Sequence, residues 1–154
     1  MTRSFLLALL LAFTFATGSY AQSENPRYDK KLADSLGADD YGMKSYVLVI
    51  LKTGPAKIDD KKQADSLFHG HLQNIKRLAA EGKMVVAGPM YENDRKYEGL
   101  FILNVSTVED AAALLNTDPA IKAKLLETEL YKWYGSAALP EYLPFHDKIT
   151  KKQF

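Results

Sequence analysis

The chain has no cysteine among its 154 residues. This absence excludes disulfides, thiolate zinc sites, iron–sulfur clusters and a cysteine nucleophile. Histidine is scarce, so imidazole chemistry is confined to His69, His71 and His146. The chain also lacks an excess of charge of one sign, because 20 Lys and Arg residues face 19 Asp and Glu residues. Nucleic-acid-binding domains are typically strongly basic, so we expect no nucleic-acid partner.

The common catalytic and nucleotide-binding motifs are missing as well. The sequence contains no G-x-S-x-G, Walker A, G-x-G-x-x-G or H-E-x-x-H pattern. His69 and His71 are two residues apart in a predicted helix, which directs their rings to opposite faces and makes them a poor metal chelate. We therefore expect neither a metal nor an organic cofactor.

The N-terminus has the three regions of a secretory signal peptide. Arg3 precedes an apolar run from Phe5 to Phe13, and Ser19 and Ala21 are small residues suited to signal-peptidase cleavage. A membrane anchor is the alternative, but the run is shorter than the roughly 20 residues that span a bilayer. We predict a signal peptide over residues 1–21, a secreted or periplasmic protein, and no membrane association after cleavage.

The remainder of the chain alternates between strand-like and helix-like patterns. A polar leader covers residues 22–43, and an extension covers residues 136–154. Between them, the predicted elements are strand Tyr46–Leu51, helix Lys61–Glu81 ending at Gly82, strand Met84–Ala87, strand Leu100–Val105, a helix opened by a capping box at Ser106–Glu109, and strand Thr128–Tyr134. This β-α-β-β-α-β order predicts an α+β, ferredoxin-like fold.

The predicted fold leaves one face of its sheet without helices. The strands are apolar on both faces, so the uncovered face would expose a large apolar patch. Packing two copies sheet to sheet would bury it. We expect a homodimer.

His71 is the unusual member of the buried stripe of the first long helix. At about 100° per residue it falls near the centre of the apolar face, whereas His69 falls on the solvent face. One interpretation is a core histidine satisfied by a hydrogen bond, and the other is a catalytic base. Gly70 favours close packing or room for a ligand at this point, since glycine costs about 1 kcal/mol in a helix interior.

Asp118 and Pro119 form a second feature with two interpretations. An Asp-Pro pair is a common helix start, so Asp118 is predicted to cap a short helix that runs through Leu126. The same segment returns toward the sheet face used by the first long helix. A carboxylate there would orient and stabilise an imidazole for general acid–base catalysis.

Gly88 and Pro89 form a third feature, a rigid turn after the second strand. A plain strand end is the simpler interpretation. The alternative is that these residues, with Gly70, contact a substrate.

The order and spacing of several short segments resemble the YCII-related domain family. The resemblance covers about residues 44–135, and the segments are Tyr46–Pro55, His71-Leu72, Leu78–Lys83, Ala87–Met90, Gly99–Ile102 and Asp118–Ala120. It implies a dimeric α+β barrel with a pocket between sheet and helices. It also implies that His71 and Asp118 are an active-site dyad. Some members of the family are cofactor-independent dehydrochlorinases or muconolactone-isomerase-like enzymes that act on small aromatic compounds.

These observations favour an exported, cofactor-independent enzyme in which His71 and Asp118 carry out acid–base chemistry on a small cyclic or aromatic molecule. The C-terminal extension, with His146, is predicted to cap either the pocket, where His146 would contact the substrate, or the edge of the dimer. The alternative is a non-catalytic dimeric module that binds a small molecule or has a structural role.

Overall fold

A four-stranded antiparallel sheet is the centre of the computed structural model, which describes residues 25–152. The predicted signal peptide therefore lies outside the described residues. The strands are β1 Met43–Thr53, β2 Met84–Pro89, β3 Tyr97–Leu103 and β4 Leu126–Ser136. The helices are α1 Lys30–Leu36, α2 Lys61–Ala80, α3 Val108–Leu115, α4 Pro119–Lys122 and α5 Leu143–Ile149, with a 3₁₀ turn at Leu139–Tyr142.

The strand order confirms the predicted ferredoxin-like fold. The sheet runs β2-β3-β1-β4, and β1 pairs antiparallel with both β3 and β4. The two long connections of the β-α-β-β-α-β unit carry α2 and α3. Within residues 25–152, no helix has the length and apolar character needed to cross a membrane.

The helices cover one face of this sheet. Val47, Val49 and Leu51 alternate along β1 and are buried in a cluster with residues of both helices, including Leu78 of α2 and Ala111 of α3. Side chains alternate across a strand, so the residues between them point to the opposite face.

The opposite face, called the open face below, is largely apolar. Cross-strand partners share a face, and β1 residues Leu48 and Ile50 lie opposite Ile102 and Leu100 of β3. Glu129, opposite Ile50, lies on the same face and forms an ion pair with Lys52. The apolar members of the face are Tyr46, Leu48, Ile50, Val86, Leu100, Ile102, Tyr131 and Trp133. Tyr131 and Trp133 share it as predicted, and both are exposed. The structure therefore has the uncovered apolar surface expected from the sequence.

At one end of the open face, residues of the same chain bury Tyr46. Tyr46 is completely buried, with its ring 5.7 Å from that of Trp133. Its hydroxyl donates a hydrogen bond to the carbonyl oxygen of Ser136 at the end of β4.

Two predicted helix boundaries are wrong. Thr107, not Ser106, caps α3, and its hydroxyl oxygen accepts a hydrogen bond from the Asp110 amide at 3.1 Å. The two candidate capping boxes overlap with a shift of one residue, so the pattern alone could not separate them. The short helix ends at Lys122 rather than Leu126, because Lys124 takes a positive φ of 57° that breaks the helix.

The strands also differ from their predicted bounds. All four strands are longer than expected, and the third is also shifted, since it begins at Tyr97 and ends at Leu103 instead of running from Leu100 to Val105. The leader contains α1, which has no buried residue. Gly82 follows α2 with a positive φ of 66°, as predicted for a residue past the helix end.

The position of the α3 cap can be tested with two neighbouring substitutions. We expect Thr107→Ala to lower the free energy of unfolding by about 1 kcal/mol, because it removes an N-cap hydrogen bond. Ser106→Ala is the matched control and should change it by less than about 0.5 kcal/mol. Urea unfolding followed by circular dichroism measures both, and a larger loss in Ser106→Ala would restore the predicted cap.

Candidate active site

His71 and Asp118 meet in the buried layer between α2 and the start of α4. The Nδ1 atom of His71 lies 2.7 Å from Oδ2 of Asp118. The two side chains are 7% and 1% exposed. This contact joins the two residues that the sequence singled out.

The carboxylate of Asp118 is surrounded by donors. Its Oδ1 accepts hydrogen bonds from the backbone amides of Ala120 and Ile121, at 2.9 and 3.2 Å, as the N-cap of α4. Its Oδ2 accepts from His71 and, at a longer 3.4 Å, from the side-chain amide of Asn74. Burial raises the pKa of the carboxyl, but the His71 contact and the two backbone amides outweigh it and hold the pKa below its ordinary value. Asp118 is therefore ionised at neutral pH.

An ionised Asp118 determines which nitrogen of His71 carries the proton. A carboxylate can only accept hydrogen bonds, so Nδ1 of His71 must donate. In the neutral ring the lone pair then lies on Nε2. No group among residues 25–152 hydrogen-bonds to Nε2, and no buried side-chain nitrogen or oxygen in that range lacks a partner. Nε2 thus carries the lone pair of a base, in a side chain that is 7% exposed.

Two phenylalanine rings contact the His71 ring. The Phe68 ring, one turn earlier on α2, lies 6.1 Å away, and the Phe101 ring of β3 lies 5.9 Å away, both at about 30° between planes. Phe101 is buried, whereas Phe68 is 57% exposed. Phe68 therefore lies at the solvent edge of α2.

Gly70 and Pro119 hold the two backbones of the site close together. A β-carbon at Gly70 would lie 2.6 Å from Cγ of Pro119, which is closer than non-bonded carbons approach. Gly70 precedes His71 and Pro119 follows Asp118, so this contact sets the separation of the pair. The structure gives Gly70 a packing role, and its contact with a substrate stays a prediction.

The predicted turn residues are divided between the two faces of the sheet. Pro89 lies opposite Gly99, on the face of the sheet that includes Phe101, which contacts His71 of α2. Gly88 lies opposite Leu100, on the open face. The structure thus places Pro89 on the His71 side of the sheet and Gly88 on the other.

His146 is not brought to the pair. It is exposed on α5, and no hydrogen bond or ring contact joins it to His71 or Asp118. β4 ends beside Met43, at the end of the sheet where β2 also begins, and Tyr142 of the extension donates a hydrogen bond to the Val85 carbonyl of β2. Ala87 to Pro89 form the other end of β2.

Three polar residues around the pair were not identified from the sequence. Asn74 and Arg77 follow His71 on α2 at intervals of three residues, and Thr117 precedes Asp118. Helical spacing places Asn74 at the edge of the buried stripe, which was an available signal. The hydrogen bonds between α2 and Thr117, by contrast, depend on tertiary packing.

A hollow of about 330 Å³ lies at α1, where its lining includes Tyr28, Leu32 and Tyr41, and a second of about 250 Å³ lies beside it. Neither is lined by His71 or Asp118. The part of the chain that the structure describes contains no group of three His, Asp or Glu side chains arranged to hold a metal.

Comparison with known proteins identifies the sequence family. A sequence model of the YCII-related domain matches residues 45–134 and confirms the resemblance. A search of curated proteins found no match. Among solved structures, the chain is similar to 5-chloro-2-hydroxyhydroquinone dehydrochlorinase from Burkholderia phenoliruptrix in complex with 2,5-dihydroxybenzoquinone. The identity is 18% and the TM-score 0.41, over 56% of this chain and 92% of that chain.

The packing role of Gly70 can be tested against that of Gly88. Gly70→Ala should lower the free energy of unfolding, because displacing Pro119 costs about 1–3 kcal/mol and outweighs the helix propensity gained. Gly88→Ala is the control, since a β-carbon there would meet nothing within 4 Å. Thermal and urea unfolding measure both. A Gly70→Ala protein more stable than the wild type would contradict the packing role.

Proposed function

Because the chain belongs to the YCII-related domain family, we propose that it is a cofactor-independent acid–base enzyme acting on a small cyclic or aromatic molecule. The observation that supports this most strongly is the 2.7 Å contact between His71 and Asp118, which leaves Nε2 of His71 with the lone pair of a base.

Each residue of the pair has a distinct role in the proposed chemistry. Nε2 of His71 removes a proton from a carbon of the substrate, and the ring becomes an imidazolium. Asp118 keeps the other proton on Nδ1 and stabilises the positive charge, since an ionised neighbour favours the charged form. The exposed Phe68 ring provides an apolar surface beside the His71 ring for a flat substrate.

Two reaction types require only this proton transfer. In an isomerisation, the imidazolium returns the proton to a different carbon of the substrate. In an elimination such as dehydrochlorination, the electron pair of the broken C–H bond forms a double bond, and chloride leaves with the original bonding pair. The imidazolium then loses its proton to solvent.

A non-catalytic module is the second candidate. It is favoured by the 7% exposure of the His71 side chain and by the N-cap role of Asp118. In that case the pair ties α2 to α4 and has no reacting partner.

Substitution of Asp118 separates the two candidates. Asn caps a helix about as well as Asp, so Asp118→Asn should retain the α4 cap while it removes the charge that stabilises the imidazolium. Small aromatic and lactone compounds are first screened by thermal shift on the wild-type chain, and stabilising compounds are tested for turnover. We expect Asp118→Asn to lower kcat by roughly 10²–10⁴-fold with little loss of stability.

His71→Gln is the companion variant and should abolish turnover while the fold is retained. Wild-type turnover that persists in both variants would overturn the catalytic role. A large loss of stability in both, with no compound turned over by the wild type, would support the non-catalytic module.

The open face supports a homodimer in which two sheets pack face to face. Leu48 lies at its centre, opposite Ile102 on one side and Tyr131 on the other. Such an apolar patch is typical of an interaction surface. Export is proposed as well, on the residue order of positions 1–21.

A charged residue at the centre of the open face tests the dimer. We expect the wild type to sediment as a dimer and Leu48→Lys as a monomer, because the lysine would be buried without a partner. Leu32→Lys, on exposed α1, is the control and should remain dimeric. A dimeric Leu48→Lys protein would place the interface elsewhere.

A further inference from the structure

A cluster of polar side chains connects the backbone segments that carry His71 and Asp118. One nitrogen of Arg77, Nη2, donates to Oδ1 of Asn74 and to the hydroxyl oxygen of Thr117, each at 2.8 Å. Asn74 belongs to α2, as His71 does, and Thr117 directly precedes Asp118. Arg77 thus bridges the two segments, beside a direct hydrogen bond at 2.9 Å between the Thr117 hydroxyl and Oδ1 of Asn74.

The donor character of Arg77 also sets the orientation of Asn74. A guanidinium has only donors, so the Asn74 oxygen must face it. The amide nitrogen then faces Asp118, where it lies 3.4 Å from Oδ2, the oxygen that His71 also contacts. Asn74 is buried, and the opposite orientation would set its oxygen against a carboxylate.

We propose that Arg77 is a positioning residue that acts through Asn74 and Thr117. It holds the turn at Asp118 against α2, so that Asp118 Oδ2 stays in line with Nδ1 of His71. This inference rests on the proposed function only in treating Nε2 of His71 as the reacting atom. The positioning itself is a property of the protein without substrate.

The exposure of Arg77 makes the proposal testable by substitution. Its side chain is 44% exposed, and its other terminal nitrogen, Nη1, donates to Glu81 at 2.8 Å. Loss of the guanidinium therefore leaves no large buried cavity. Glu81→Gln provides a matched control, because it weakens the outer ion pair and leaves the contacts with Asn74 and Thr117 unchanged.

The experiment follows the Nδ1 proton of His71 by NMR in the full chain labelled with ¹⁵N-histidine. The His71 signal is assigned by its absence in His71→Gln. We expect the wild type and Glu81→Gln to show an exchange-protected Nδ1 proton. In Arg77→Met its exchange should be about tenfold faster, as for the loss of one hydrogen bond, or the signal should be lost. Arg77→Lys should be intermediate, since an ammonium retains donors.

Thr117→Val provides an independent test should Arg77→Met fail to fold. It removes the Asp118 side of the bridge and keeps Arg77 on Asn74, and we expect the same faster exchange. Wild-type protection in either folded variant would overturn the proposal, as would equal loss in Glu81→Gln. The readout needs no substrate. The proposed function fails on turnover, and this inference fails on the proton signal.

Discussion

The burial of the Asp118 carboxylate is the constraint on which the site depends. A buried charge is costly unless hydrogen-bond donors surround it. Here two backbone amides at the start of α4 donate to one carboxylate oxygen, and His71 donates to the other. Because the carboxylate is ionised, the histidine must donate through Nδ1, and its second nitrogen becomes the free base. One buried charge thus positions a helix, orients a ring and assigns its proton.

The fold supplies the surroundings that this arrangement needs. α2 packs on the sheet so that the His71 ring contacts Phe101. The connection after α3 brings Asp118 back to the helical layer beside His71. Gly70 allows the two segments to approach, because any side chain there would meet Pro119. The helices occupy one face of the sheet only. The apolar open face is left for another partner, for which we have proposed a second copy of the chain.

The element order and the burial of His71 could be predicted from the sequence, because both depend on local apolar periodicity. The position of the α3 cap could not, since Ser106 and Thr107 begin equivalent patterns one residue apart. His146 was assigned to the site as part of the C-terminal extension, and Gly88 as part of the Gly-Pro turn after the second strand. Their actual places depend on where β4 ends and on which face of β2 a residue occupies. The Arg77–Asn74–Thr117 bridge depends on tertiary packing and has no local signature beyond the helical spacing of Asn74.

The position of the proton on the neutral ring of wild-type His71 is the most direct test of the site. ¹⁵N chemical shifts of the two ring nitrogens, measured on the full chain with the ring neutral, report which nitrogen carries the proton. We predict the proton on Nδ1 and a bare Nε2. A proton on Nε2, with Nδ1 bare, would contradict the assignment of Asp118 as its acceptor and remove the base on which the proposed chemistry depends.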